Sequence, residues 1–370
     1  MGSSLNNGPL TIGVIGVGTI SAQYFAEFPK LPGLRLLAVA DVNQARAAEV
    51  AAEQGVEALA VDALLADPRI DAVLNLTIPA AHVEIGMKAL RAGKHVYGEK
   101  PLALDPAEAA PMLALAAELG LRVGSAPDTV LGTGIQTARQ VLDSGAVGEP
   151  VAAAVHWSSP GHERWHPAPQ FYYQPGGGPL LDMAPYYLSS LVTLLGPVLR
   201  VSGVATRSAR ERTIATGPSA GTVIPVDVDT HVSAILEHAG GATSTVTVSF
   251  DVWASRAPLF ELYGTSGTIA VPDPNRFSDA VEVWTTQAPE WREVPVSAGY
   301  EDAGRGFGLA DMAHAIETDR PHRASGELAF HVLEIMDAVL RAGHEHGVIE
   351  LTSTASRPEP VPFGALPGSW

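Results

Sequence analysis

The chain has 370 residues, which at about 100 to 200 residues per domain predicts two domains and excludes a single small module. Apolar residues make up 46% and charged residues 17%, enough for a large buried core and unlike a disordered or fibrous chain. Against 23 Lys and Arg stand 40 Asp and Glu, a net charge of −17 that repels nucleic-acid phosphates and anionic membranes, and the absence of cysteine removes disulfides, thiolate metal sites and cysteine nucleophiles together.

The opening MGSSLNNGPL has neither a basic nor an apolar leader region, so no signal peptide is expected. The longest apolar candidate, Met183 to Leu199, is broken by Pro185, Gly196 and Pro197, which speaks against a membrane span. A soluble cytoplasmic protein is the expectation.

From Leu10 to Ser125 short apolar runs alternate with helical stretches, the pattern of βαβ units around a parallel sheet. Strands are predicted at Thr11–Val17, Leu34–Ala40, Ile70–Ile78, Lys94–Tyr97 and Arg122–Ser125, with a weaker one at Val56–Ala60. Helices are predicted at Ile20–Phe28, Gln44–Gln54, Ala81–Ala92 and Pro106–Leu119, several ending at Gly or opening at Pro. After Pro127 a helix at Gly134–Asp143 leads into β-branched runs at Val151–Trp157, Leu199–Ala205, Thr230–Leu236, Thr243–Phe250, Leu259–Tyr263, Thr268–Val271 and Val281–Trp284, read as a mostly antiparallel sheet. Gly240-Gly241 and Gly264–Gly267 are turn signals within it. Helical period marks Leu180–Leu195 and Leu309–Glu345 with a break near Pro321, whereas Arg207–Pro225 and the Pro-rich Ser353–Trp370 read as loop and tail. The fold class is therefore α/β: an amino-terminal doubly wound sheet (residues 1–127, nucleotide binding) and a carboxy-terminal α+β domain with a large open sheet (residues 128–370, substrate binding and oligomerisation).

The first predicted strand runs into Gly16-Val17-Gly18-Thr19-Ile20-Ser21, G-x-G-x-x-S between a strand and a helix. Glycines here permit a tight turn and close backbone approach to a pyrophosphate, with Ser21 small enough to replace the third glycine. Asp41 ends the second strand 25 residues after Gly16, where a carboxylate accepts from ribose hydroxyls and repels a 2′-phosphate. NAD is favoured on that ground, and Arg46, one helical turn on, keeps NADP open.

Glu99-Lys100-Pro101 closes the fifth strand at the carboxyl edge of the sheet, where open α/β folds bind ligands. A lysine there serves either as a solvated charge or as an acid/base group. Gly176-Gly177-Gly178 precedes Asp182 and Tyr186, four residues apart and so on one helix face. From the residues alone Asp182 and Tyr186 are equally well a helix-end charge and a core phenol. Gly161–Pro167 gathers polar and aromatic groups as a loop: Trp165 offers a ring face and His166 a hydrogen-bond donor to a sugar, unless the loop is plain surface. His344-Glu345-His346 splays its two rings apart, and no metal site is expected.

In this order the motifs resemble the glucose–fructose oxidoreductase, inositol dehydrogenase and MocA-like family, from about Leu10 to Leu351. The resemblance implies NAD(P)-dependent interconversion of a secondary alcohol and a ketone on a sugar, cyclitol or related polyol, and a homodimer or homotetramer formed through the carboxy-terminal sheet. It places Gly16, Gly18, Thr19, Ile20, Asp41, Thr77, His82, Glu99 and Lys100 at the cofactor. It makes Lys100 the acid/base in contact with the substrate, with Asp182 and Tyr186 as further catalytic groups at the substrate; Trp165 and His166 are candidate substrate contacts from the loop's residues alone. The chain departs from the family at Tyr186, where most relatives carry histidine, at Ile78-Pro79 within Thr77–His82, and at Pro127–Leu131. Two other functions stay open on the same fold: a dinucleotide-binding regulator without turnover, and a glycosidase-like hydrolase that oxidises its substrate transiently.

Overall fold

A computed structural model describes residues 8–367. Residues 1–7, within the stretch read for a leader, and residues 368–370 of the Pro-rich end lie outside the described residues. The chain forms two compact units: Met1–Thr133 with Ala298–Phe330 and Pro358–Trp370, and Gly134–Ser297 with His331–Arg357. The sequence reading divides the chain once, at 127/128; the compact units are interleaved, because the chain returns to the first after residue 297.

The first unit contains β1 (Leu10–Ile15), α1 (Ser21–Glu27), β2 (Leu34–Ala40), α2 (Gln44–Gln54), β3 (Glu57–Ala58), α3 (Val61–Ala66), β4 (Ala72–Asn75), α4 (His82–Arg91), β5 (His95–Gly98), α5 (Pro106–Leu119) and β6 (Val123–Ser125). All pairings in its sheet are parallel and the strand order is β3-β2-β1-β4-β5-β6, the doubly wound arrangement in which the crevice at the carboxyl ends takes the ligand. β1 and β4 are buried throughout, as a parallel strand covered on both faces must be. α2 shows why its ends were readable: the Asn43 side chain accepts from the Arg46 N–H at 3.2 Å, and Gly55 closes the helix in the left-handed region. The six-residue α3 is too short to declare a period.

The second unit contains α6 (Thr133–Asp143), β7 (Pro150–Ser158), α7 (Gly178–Leu195), β8 (Val198–Thr206), β9 (Glu211–Thr213), β10 (Val223–Pro225), β11 (His231–His238), β12 (Thr243–Ser249), β13 (Phe260–Gly264), β14 (Gly267–Ala270), β15 (Val281–Thr285) and β16 (Ala288–Val294). After α8 (Phe307–Glu317) in the first unit, α9 (Gly326–Glu345) and β17 (Val348–Glu350) follow. The large sheet has nine strands in the order β16-β15-β14-β13-β7-β12-β11-β8-β17, antiparallel except where β12 lies parallel to β7. Both expected glycine turns join antiparallel neighbours, β11 to β12 and β13 to β14. α7 packs against β7, β11 and β12.

The expectation of loop across Arg207–Pro225 is corrected. β9 and β10 pair as a separate antiparallel ribbon, and Ile214, Ile224 and Val226 bury against Tyr173 and Phe250 in a small core of their own. Three-residue strands carry no alternation for a sequence reading to find.

Two buried histidines have bonding that fixes their charge. The Arg122 N–H donates to His95 Nδ1 at 2.9 Å, and the Val198 N–H donates to His331 Nε2 at 3.0 Å, so each of these nitrogens must keep its lone pair. Burial pushes both rings down to about 4, with Arg122 adding to the effect at His95 and His238 at His331. Since the unfolded chain takes up these protons near 6.5, their stabilising contribution is complete above that pH and lost on acidification towards 4, about 2 kcal/mol for each ring at pH 5. The urea midpoint is expected to fall between about pH 7.5 and about pH 5, and the non-titrating His331→Gln variant to fall less over the same interval. A midpoint flat across it would contradict the assignment.

Candidate active site

The glycine turn after β1 follows from packing. Gly16 sits at φ +95°, and a Cβ there would lie 2.6 Å from the Leu76 carbonyl, so only glycine lets the turn cross the end of β4. Gly18 differs, for a Cβ would meet nothing within 4 Å. Its carbonyl accepts from the Ser21 hydroxyl at 2.7 Å and the Ser21 N–H at 3.2 Å, which ties the turn to the start of α1 and explains why serine serves in place of the third glycine. Thr19 and Ile20 complete the turn, and Ile20 gives α1 no side-chain cap. Asp41 sets its carboxylate across the same turn: Oδ2 accepts from the Val17 N–H at 2.9 Å and Oδ1 from the Asn43 N–H at 2.8 Å. Arg46 is turned to Glu49, Nη1 to Oε2 3.1 Å.

Beyond β4, Asn75 organises the next loop. Its Oδ1 accepts from the Thr77 hydroxyl at 2.7 Å and the Thr77 N–H at 3.2 Å, while its Nδ2 donates to the His82 carbonyl at 3.0 Å. The His82 ring is buried, with Nδ1 2.7 Å from the Pro101 carbonyl and Nε2 3.0 Å from the Thr77 carbonyl. His82 thus joins the Thr77 loop to the segment after β5. On that segment the Lys100–Pro101 peptide is cis, and the Lys100 N–H donates to Glu99 Oε2 at 3.1 Å. Glu99 is buried, and its other oxygen accepts from the Tyr24 hydroxyl at 2.8 Å. Burial first, then the Glu99 carboxylate, push the Tyr24 phenol far above its ordinary value, so it remains a donor. Asp128, in the stretch where the chain departs from the family pattern, is fully buried and accepts from the Gly306 and Gly308 N–H groups at 2.8 and 3.1 Å at the start of α8.

In the second unit α7 begins at Gly178, which puts Asp182 and Tyr186 one turn apart inside the helix, as the spacing predicts. A Cβ on Gly177 would come within 2.6 Å of the Phe171 and Tyr172 carbonyls, so the glycines let the 170–173 turn press onto the helix start. Tyr186 is buried. Asp182 Oδ2 is 3.0 Å from His162 Nε2, and His162 Nδ1 lies 3.1 Å from the Trp165 indole nitrogen. Trp165 is 58% exposed, with its N–H turned inward to His162. His166 Nδ1 accepts from the Ala168 N–H at 3.1 Å, leaving Nε2 as the donor side of a neutral ring. The histidine on the Asp182 carboxylate is therefore His162, while the ring of the expected donor His166 packs against Trp165, Phe171 and Tyr172.

The profile of the oxidoreductase family with an NAD-binding Rossmann fold matches residues 10–126, and that of the GFO/IDH/MocA C-terminal domain matches residues 135–270. A dTDP-3,4-didehydro-2,6-dideoxy-α-D-glucose 3-reductase of Streptomyces violaceoruber is 30% identical over 354 residues, covering 90% of this chain and 96% of that one. The chain belongs to the GFO/IDH/MocA oxidoreductase family. Levoglucosan dehydrogenase of Pseudarthrobacter phenanthrenivorans is 27% identical over 289 residues, covering 70% of this chain and 73% of the relative. A solved structure of levoglucosan dehydrogenase with NADH and L-sorbose shares the fold at a TM-score of 0.80 and 23% identity, covering 93% of this chain and 99% of that chain.

The GFO/IDH/MocA member described here is an NAD-binding oxidoreductase, and its first unit fits that cofactor. The open side of Gly18 and the carboxylate of Asp41 suit a pyrophosphate and an adenosine ribose. Among the described residues no cluster of His, Asp and Glu could hold a metal ion, and no helix is long and apolar enough to cross a membrane. Sequence reasoning did not single out Tyr24, Asn75 or His162. Tyr24 meets the Glu99 carboxylate from 75 residues away, Asn75 binds the Thr77 loop and the His82 carbonyl, and His162 meets Asp182 only through the path of a loop.

Gly18→Ala is expected to keep the wild-type thermal midpoint within a few degrees, because a Cβ there meets nothing within 4 Å, and, if the open side of the turn receives the pyrophosphate, to weaken NAD binding about tenfold or more by isothermal titration. Gly16→Ala is expected to destabilise the fold itself. Undiminished NAD affinity in Gly18→Ala would contradict this placement.

Proposed function

We propose that the protein interconverts a secondary alcohol and a ketone on a sugar, cyclitol or related polyol, with Lys100 as the acid/base. The observation that carries the reading is the fixed peptide of Lys100 at the carboxyl edge of β5, in a chain whose relatives include sugar reductases and levoglucosan dehydrogenase. When bound, the nicotinamide accepts or supplies the hydride at its C4. Lys100 takes the hydroxyl proton as the alcohol is oxidised and returns it to the ketone oxygen in the reverse direction. Asp182 orients the sugar through its hydroxyls or tunes the acid/base group, and the Tyr186 phenol donates a hydrogen bond to a substrate oxygen. A phenol with a reference pKa of about 10 is a weak base at neutral pH, which leaves the proton transfer to Lys100.

Gly16, Gly18, Thr19 and Ile20 cradle the pyrophosphate, and Asp41 binds the adenosine ribose. Thr77 and Glu99 bound the nicotinamide end, where His82 acts by holding the Thr77 loop to Pro101. Asp41 repels a 2′-phosphate, and Arg46 is engaged by Glu49, so NAD is preferred to NADP. Trp165 and His166 receive the sugar ring. The first unit carries the cofactor groups and Lys100, and the second carries Asp182, Tyr186, Trp165 and His166.

The protein assembles as a homodimer or homotetramer through the open face of the nine-stranded sheet. Support comes from the strand alternation, which leaves Val204 and Ile235 on neighbouring strands 58% and 51% exposed among small and polar side chains such as Ser202, Ser233 and Thr245.

In a polyol panel followed at 340 nm, turnover is expected with NAD well above that with NADP. Lys100→Met is expected to lower kcat by about 10² or more while NAD binding stays within a few-fold. Wild-type turnover in Lys100→Met would remove its role. Ile235→Glu is expected to shift the assembly towards monomer by light scattering, and an unchanged mass would reject that face as the interface.

A further inference from the structure

We propose that His162 positions the Asp182 carboxylate, and that the Trp165 indole N–H holds His162 in the one tautomer able to do so. The inference rests on the reading of Asp182 as a group that orients the sugar substrate.

Two contacts assign the protons. The indole nitrogen of Trp165 is only a donor, so at 3.1 Å from His162 Nδ1 it requires a lone pair on that atom. The proton of the neutral ring is then on Nε2, 3.0 Å from Asp182 Oδ2, and is donated to the carboxylate. With one oxygen held, the plane of the carboxyl group is set by a partner outside its own helix.

The ring has little freedom to leave this pose. His162 is 6% exposed, with the Tyr172 ring edge-on at 4.4 Å, Phe250 tilted at 4.4 Å and Trp157 edge-on at 6.2 Å between centroids. Its backbone is held as well. The His162 N–H donates to the Tyr173 hydroxyl at 3.1 Å, and that hydroxyl donates to Glu163. Burial, then the bond to Glu163, push the Tyr173 phenol up, so it stays protonated and keeps donating. Glu163 pairs through its other oxygen with Arg212 at 3.2 Å, and Arg212 pairs also with Asp251. The 161–165 turn is thereby tied to β9, the short strand in the segment the sequence presents as loop.

Trp165 consequently has two separable parts: an exposed ring surface for a sugar, and an inward N–H that sets the histidine tautomer. Phenylalanine at 165 keeps the first and removes the second. Glutamine at 162 keeps an amide N–H near the place of Nε2–H, and phenylalanine at 162 removes it.

The test joins a substrate-free spectrum to kinetics. Long-range ¹H–¹⁵N spectra of ring-labelled protein near neutral pH, with the His162 signals identified by their loss in His162→Gln, are expected to show the neutral Nε2–H form in the wild type and a second tautomer in Trp165→Phe. On the best polyol of the panel, His162→Phe is expected to lower kcat about tenfold with KM changed less than about threefold, and His162→Gln to recover most of the loss. Thermal midpoints check that each variant is folded. An Nδ1–H ring in the wild type, an unimpaired His162→Phe, or a His162→Gln as poor as His162→Phe would each overturn the proposal. A wild-type protein that oxidises no polyol would reject the reading of Asp182, while the spectra would still decide the tautomer.

Discussion

The peptide that carries Lys100 is held by a carboxylate removed from water. Glu99 can stay buried only because both its oxygens find donors, the Tyr24 hydroxyl from α1 on one side and the Lys100 N–H on the other. Tyr24 can donate because burial keeps its phenol protonated. One chain of bonds thus runs from the helix after the glycine turn to the residue given the proton transfer. The Asn75, Thr77 and His82 bonds add a second brace, which reaches the Pro101 carbonyl from the neighbouring loop. An acid/base group on a flexible stem gains precision from such a fixed root.

The second unit solves the same problem with different parts. Asp182 sits on the long helix α7 with His162 on its carboxylate, and the His162 loop is anchored by the buried Glu163, which pairs with the partly buried Arg212, itself paired with Asp251. Removing one partner from such a network leaves an uncompensated buried charge, which is costlier than the intact network is stabilising. Each unit thus holds a residue with a proposed role through a polar network of its own, and elsewhere buries apolar side chains in the ordinary way.

Most of the fold was legible because its signals are local. The β1 turn, the Asn43 cap, Gly55 after α2 and the glycine pairs between strands each fix structure within a few residues, and α2 and α5 lie where the sequence places them. The glycine turn, Asp41 and the Glu99–Pro101 segment were legible for the same reason. The β9–β10 ribbon was not, since Ile214, Ile224 and Val226 are scattered among polar residues and gain meaning only against Tyr173 and Phe250. His162 was hidden by geometry: it is 20 residues from Asp182, and nothing in the spacing separates it from His166. The Asn75 brace was hidden because its Nδ2 ends on the His82 main chain and its Oδ1 on Thr77, two residues away.

The proposed reaction requires direct transfer of hydrogen from a carbinol carbon to the nicotinamide C4. Its most direct test is mass spectrometry of the reduced cofactor after oxidation of a polyol deuterated at the reacting carbon. The expected result is one deuterium in the recovered NADH. Unlabelled NADH, or label recovered only in water, would contradict it.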